Sequence, residues 1–219
     1  MEFRNQNQNQ NQKSKPKSET KTKNQNQNQN QNQKREVKMK NQNQNLIELV
    51  KLPNGLKFGK YPVTFRQWIS VENEISTHRP LDRPKVNVSW IEVQEFLEKT
   101  GNQYRLPTSS EWEYACRAGS KSLYSFGNDR FDLAKHAWFH ENSNYQSHPV
   151  GQKLPNAWGL YDMHGHVWEW CQDKVDTRER VARGGSWSSD HTVCRSDYST
   201  SFSETKAAIV LGFRLVLNS

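Results

Sequence analysis

The chain has 219 residues, 32% of them apolar and 25% charged, with a formal net charge of +8. Averaged over its length that is too polar for a packed domain, but the average mixes two compositions. Residues 1–45 contain only Met1, Phe3, Val37 and Met39 as apolar residues, whereas all eight tryptophans lie beyond residue 60. The tail also carries ten basic residues against three acids, so +7 of the net +8 resides there and residues 46–219 are close to neutral. The basic balance therefore gives no reason to expect specific nucleic-acid binding by the folded part. No apolar run reaches the 18 or so residues of a membrane span. The N-terminus, MEFRNQNQNQ, lacks the apolar stretch of a secretory signal. Cys116, Cys171 and Cys194 are too far apart for a disulfide framework or a zinc site, and a reducing, cytoplasmic setting is expected.

In the tail, three blocks of alternating Asn and Gln (5–12, 24–33 and 41–45) are separated by Lys-rich spacers. Such a sequence buries nothing to offset chain entropy and is predicted to be disordered. Two roles are open for it, a tether and a self-associating element built on amide ladders, and the interspersed lysines oppose the second. Residues 46–219 are long enough for one domain with one core. LIELVKLPNGLKFGKYPV reads as a β-hairpin around Pro53-Asn54-Gly55. Thr64 is placed to cap a short helix bearing Phe65, Trp68 and Ile69. Ser89 with Glu92 and Thr108 with Glu111 form capping-box pairs that open two amphipathic helices, stopped by Gly101 and Gly119. Trp112 and Tyr114 are expected to supply core area from the second helix. Beyond Gly119 the helical period vanishes, and short strands are expected at VWEWC, RVARGGSW and LGFRLVL among many turns. Trp168 and Trp170 alternate with Glu169 as in a half-buried strand, and Gly184-Gly185 suits a close backbone passage. The fold class is α+β, with two main helices, short antiparallel strands and long loops.

Four stretches in order, YRLPTSSEWEYACRAG (104–119), NAWGLYDMHGHVWEW (156–170), RVARGGSW (180–187) and CRS followed by GFRLV (194–216), resemble the formylglycine-generating-enzyme, or sulfatase-modifying-factor, type of C-type lectin fold. The resemblance covers about 160 residues. It implies the fold but not the function, since that family includes oxidases, sulfoxide synthases, regulatory modules and binding proteins. In the oxidases two cysteines five residues apart bind copper after GGSW; the resemblance puts Cys194 at the later position and Ser189 at the earlier one. Cys116 and Cys171 read as buried structural residues on a helix and a strand. The sulfoxide synthases add a helical iron-binding domain for which no chain remains. Of the seven histidines only His136 and His140 have helical ligand spacing, in a region without a helix signal. The resemblance also implies a structural calcium near Glu169, although His166 stands where an Asn ligand is usual. No catalytic residue and no other cofactor is expected.

Between Trp187 and Gly212 the chain reads SSDHTVCRSDYSTSFSETKAAIVL, with neither Gly nor Pro and no period of 2 or 3.6, flanked by strong scaffold motifs. That is the pattern of a changeable surface on a rigid frame. In the resembling variable proteins of diversity-generating retroelements this segment is randomised at template adenines, which turn Asn codons into Ser, Thr, Asp, His, Tyr, Phe, Val and similar residues. Most positions outside Cys194-Arg195-Ser196 belong to that set, while Glu204 and Lys206 do not. Ser199 and Glu204-Thr205 stand where ordinary members carry Arg and Pro-Asp, which suggests a face released from packing duty. The expected function is thus a ligand-binding module whose ligand is a protein, with the oxidase or a regulatory domain as the alternative. Its contact residues are Ser188, Ser189, Asp190, His191, Val193, Asp197, Tyr198, Thr200 and Phe202, anchored by the two aromatics.

Overall fold

A computed structural model describes residues 47–72 and 80–218. The tail, with its expected disorder, Leu46 and His78 lie outside the described residues. The expected hairpin forms from β1 (Leu49–Lys51) and β2 (Lys57–Gly59), paired antiparallel. Asn54 fixes its turn by accepting from Leu56 N at 3.2 Å, and Gly55 takes φ +92°. Helix α1 (Phe65–Glu72) is opened by a reciprocal pair: Gln67 N donates to Thr64 Oγ1 at 3.3 Å and Thr64 N donates to Gln67 Oε1 at 2.8 Å. Its Trp68 stacks on Phe96 of α2 (Trp90–Lys99) at 5.0 Å and meets Phe213 edge-on.

Both capping boxes form as their sequences dictate, Ser89 with Glu92 at α2 and Thr108 with Glu111 at α3 (Ser109–Arg117). Trp112, Ala115 and Cys116 are buried from α3, whereas Tyr114 is 37% exposed and lies against Trp158. The expectation that Tyr114 joins the core is corrected by helix geometry, because residues two apart point to different faces. A 3₁₀ turn (Arg130–Asp132) and the short α4 (Leu133–His136) follow, too brief to leave a period in the sequence.

The remaining strands are β3 (Tyr104–Arg105), β4 (Trp168–Lys174), β5 (Glu179–Arg183), β6 (Ser199–Ser203), β7 (Leu211–Phe213) and β8 (Val216–Leu217). They build two four-stranded sheets in the orders β1-β2-β8-β3 and β6-β5-β4-β7. All pairs are antiparallel except β4–β7, which is parallel. Strand β4 is buried on both faces over Trp168–Cys171 rather than half-buried. Trp168 and Trp170 enter the larger core with Phe96, Leu211 and Phe213, while Cys171 enters a second cluster with Trp112, Leu52 and Phe58.

Glu169 faces that second cluster as a fully buried carboxylate. Arg214 donates to it from Nε at 3.0 Å and from Nη2 at 2.8 Å, and Trp112 donates its indole N–H at 2.6 Å. The remaining Arg214 donors reach the carbonyls of Gly59 and Tyr161 at 2.9 and 2.8 Å. Both charged side chains are 0% exposed, so each depends on the other for the hydration it has lost.

Two buried histidines brace the loops. His164 Nδ1 lies 2.8 Å from the Cys194 carbonyl and must carry the proton, since a carbonyl only accepts; Nε2 accepts from Ser125 N at 3.1 Å. Burial pushes the His164 pKa down to about 4, against the opposing pull of that carbonyl, so the ring is neutral. His166 adopts φ +66°, the left-handed conformation that Asn tolerates best, and its Nδ1 stands 3.2 Å from Asp162. Burial raises the Asp162 carboxyl, but the neighbouring His166 and the Gly151 N–H outweigh it and hold it below the usual carboxylate range.

Two outcomes follow from these buried groups. Arg214→Met strands Glu169 as an unpaired buried charge and should cost about 3–5 kcal/mol in chemical denaturation, whereas a Glu169→Leu/Arg214→Met double variant recovers much of that loss. The His164 imidazole protonates near pH 6.5 when unfolded but only near pH 4 when folded, so its contribution is complete above pH 6.5 and is lost as pH falls toward 4. His136, also lowered by burial, acts in the same direction. Stability measured across that window should fall by a few kcal/mol, and His164→Asn should flatten the slope.

Candidate functional site

The segment after Gly185 is held by its backbone. A Cβ at Gly185, which has φ +77°, would stand 2.8 Å from Cys194 Sγ, so only glycine lets the two chains pass. The next turn is closed by serines: Ser189 N donates to Ser186 O at 3.0 Å, and Ser186 N donates to Ser189 Oγ at 3.0 Å. Asp190 accepts from Thr192 N at 2.7 Å, Cys194 N donates to His191 O, and Ser196 N donates to Leu123 O at 2.8 Å. Arg183, paired with Glu113 on α3 at 3.1 Å, donates to the carbonyls of Ser196 and Tyr198. The chain then forms β6, an edge strand in register with β5 from Ser199↔Arg183 to Ser203↔Glu179.

Seven of the nine expected contact residues fall into two groups, and Asp197 and Thr200 stand apart from both. Ser188, Ser189, Asp190 and His191 lie on the serine-closed turn, where Tyr124 Oη donates to His191 O at 2.9 Å and His140 N to Ser189 O at 2.9 Å. Ser188, Asp190 and Asp197 are exposed, and Asp197 pairs with Arg195 at 3.1 Å. Val193, Tyr198 and Phe202 form the second group, half-buried against the larger core. Tyr198 lies 6.1 Å from the Trp168 ring, and Phe202 lies 6.3 Å from Trp168 and 6.0 Å from Trp170. Thr200, between these two aromatics on β6, is half-buried opposite Ala182. Tyr198 and Phe202 thus combine scaffold packing with partial exposure.

Glu204 is not released from packing. It pairs with Arg180 at 2.9 Å, and its main chain bonds to Arg178 O and Ile91 N, joining β6 to α2. The loop 123–130, which the sequence did not single out, meets the turn through Tyr124 and Leu123.

The metal expectations are tested by the same geometry. Both oxygens of Glu169 face the Arg214 guanidinium and one also takes the Trp112 N–H, so these residues do not fit a calcium ion, and the expected calcium ligand is instead half of an arginine pair. Cys194 is fully buried among Tyr124, Leu133, Ala137 and Phe139, and burial pushes its thiol far above the usual range. The Ser189 hydroxyl is spent on Ser186. A two-sulfur copper site does not fit these positions. Burial likewise raises the thiols of Cys116, to about 12, and Cys171. His136 ends α4 and His140 lies beyond it, exposed, so no helix presents them together. Among the described residues no group of three or more His, Cys, Asp or Glu could hold a metal ion, and no helix is long and apolar enough to cross a membrane. A thiol reagent should leave all three cysteines unmodified in the native protein and titrate three after denaturation, as read by absorbance.

The comparisons with known proteins agree with this architecture. The sulfatase-modifying factor enzyme 1-like domain family matches residues 14–219. Chaperone protein LppX of Paenibacillus barcinonensis is 28% identical over 220 residues, covering 72% of this chain and 78% of that protein. The formylglycine-generating enzyme of Bos taurus is 31% identical over 163 residues, covering 61% of this chain; the chain spans 43% of the enzyme's length. Treponema denticola variable protein 1 superposes with a TM-score of 0.68 at 25% identity, over 75% of this chain and 84% of that one. The Major Tropism Determinant P3c variant shares the fold, with a TM-score of 0.54 at 12% identity over 77% of this chain and 52% of that one. With its motifs in order and its sheets in place, the chain belongs to the sulfatase-modifying factor enzyme 1-like family and has the C-type lectin fold.

Proposed function

We propose that the chain is a ligand-binding module whose partner is a protein, and that it is the variable protein of a diversity-generating retroelement. The observation that carries this reading is the division of labour in residues 187–211. The path of that segment is set by main-chain hydrogen bonds, Gly185, Cys194, Ser196 and the Arg183 guanidinium, while Ser188, Asp190 and Asp197 project from it without supporting the core. Side chains can change there while the backbone keeps its course. The likeness to Treponema denticola variable protein 1 supports the same reading. In this proposal residues 46–219 are the module, the tail is its tether, and the protein works in the cytoplasm. Ser188, Asp190 and His191 give adaptable polar contacts, Ser189 contributes chiefly by closing the turn that presents them, and Val193, Thr200, Tyr198 and Phe202 give apolar area.

The likeness to the formylglycine-generating enzymes favours a second reading, an oxidase or regulatory domain. The buried Cys194 thiol, with a serine hydroxyl in place of a second sulfur nearby in sequence, weighs against the oxidase. The two readings separate at the DNA. Sequencing downstream of the gene should find a near-copy of the codons for residues 187–216, differing only at adenines and sparing those of Cys194-Arg195-Ser196, beside a reverse-transcriptase gene. Absence of such a copy, together with copper uptake that is lost in Cys194→Ala, would establish the enzyme reading instead.

A further inference from the structure

A cleft of about 320 Å³ lies between the loop 123–130 and the turn that contains His191. One wall is Leu123, Tyr124 and Arg130; the other is His191, Thr192 and Arg195. It is at the small end of ligand sites, which run from about 300 Å³, and is sized for one side chain rather than a large cofactor.

The polar atoms around the cleft are unevenly committed. Asn128 Oδ1 accepts from Leu123 N at 2.8 Å and Asp129 Oδ1 accepts from Phe131 N at 2.9 Å, so both side chains shape the loop, while the Asp129 carboxylate keeps its second oxygen and its charge at the lining. Thr192 is bonded to Asp190. Arg195 is held by Asp197 across two contacts of 3.1 and 3.3 Å, which leaves part of its guanidinium over. Arg130 lies over the Phe131 ring at 4.9 Å and has no carboxylate at ion-pair distance among the described residues. The lining thus sets the guanidinium groups of Arg130 and Arg195 against the one carboxylate of Asp129, and the planar N–H pairs of Arg130, without an acid partner among the described residues, match an incoming carboxylate. Leu123 on the lining is 40% exposed, and Phe131, under the Arg130 guanidinium, is 76% exposed. Exposed apolar area beside a guanidinium suits a side chain carried on a peptide better than a small free anion.

We propose that this cleft takes the carboxylate of an Asp or Glu side chain presented by a protein partner. The inference rests on the binding-module reading for the nature of the partner, and it adds a chemical preference. Arg130, Leu123 and Tyr124 lie outside the changeable segment, whereas His191 and Thr192 lie inside it. The acid preference belongs to the fixed wall, and the variable wall selects among acidic partners.

The test uses an array of hexapeptides with a central Glu or Asp flanked by Leu or Phe, the same peptides with Gln or Asn, and the same with phosphoserine, probed with the full chain. The acidic peptides should be held at least tenfold more strongly than their amide counterparts, and Arg130→Gln, a surface change verified by unchanged circular dichroism, should abolish the difference. Equal retention of the amides, no retention of any acidic peptide, an acid preference that survives Arg130→Gln, or retention of phosphoserine peptides alone would each overturn the assignment. If it fails while the downstream template copy exists, the module reading stands without this cleft. If the copy is absent but the preference depends on Arg130, the cleft stands without that reading.

Discussion

The Glu169–Arg214 pair is the constraint on which the architecture depends. Arg214 separates β7, which completes one sheet, from β8, which occupies the middle of the other. Its guanidinium reaches Gly59 at the end of β2, Tyr161 in the preceding loop and Glu169 in β4. One side chain therefore sets the relation of both sheets to α3, whose Trp112 completes the carboxylate's shell. Pairs of this kind gain little net energy from their attraction, because burial removes both charges from water. What this one supplies is geometric: a sheet that slips in register leaves a charge without its partner.

A frame of that sort permits the looseness of composition seen after Trp187. The turn at 186–196 is closed through backbone atoms, two serines, a glycine and a buried cysteine. The edge strand β6 is fastened by its ladder to β5 and by Glu204 to Arg180. Tyr198 and Phe202 stand between the two regimes, since their rings approach the Trp168 and Trp170 rings while part of each remains accessible. A change at either alters the surface and the packing beneath it together, unlike a change at Ser188 or Asp190.

Much of the frame was legible from local chemistry. Capping boxes satisfy nearby backbone donors, and a Pro-Asn-Gly turn fixes its own geometry, so both depend on neighbours in sequence. The family motifs carried the rest of the fold. What could not be read was decided by partners far along the chain. Glu169 alternates with tryptophans as an exposed residue would, yet Arg214, 45 residues later, makes its burial possible. Strand β6 is the run STSFS, whose small polar residues carry no period, and it is a strand because β5 offers an edge. Glu204 looked free because its partner Arg180 is 24 residues away. The candidate site was legible as a segment but not as a shape: the sequence marked 187–211 without showing that its residues divide between a turn and a strand, or that loop 123–130 borders them.

The placement of β7 and β8 also orders the assembly of the molecule. Strand β8 sits between β2 and β3, so a nascent chain that stops short of residue 211 lacks both the edge of one sheet and the joint of the other. Until then β3 has no neighbour, and the carboxylate of Glu169 has no counter-charge to draw it inward. Pairings between residues 58 and 216 close across most of the domain, which makes folding slow by topology. The helices can form early from their own caps, but the two sheets are committed by one late stretch of seven residues, and both close in the same event.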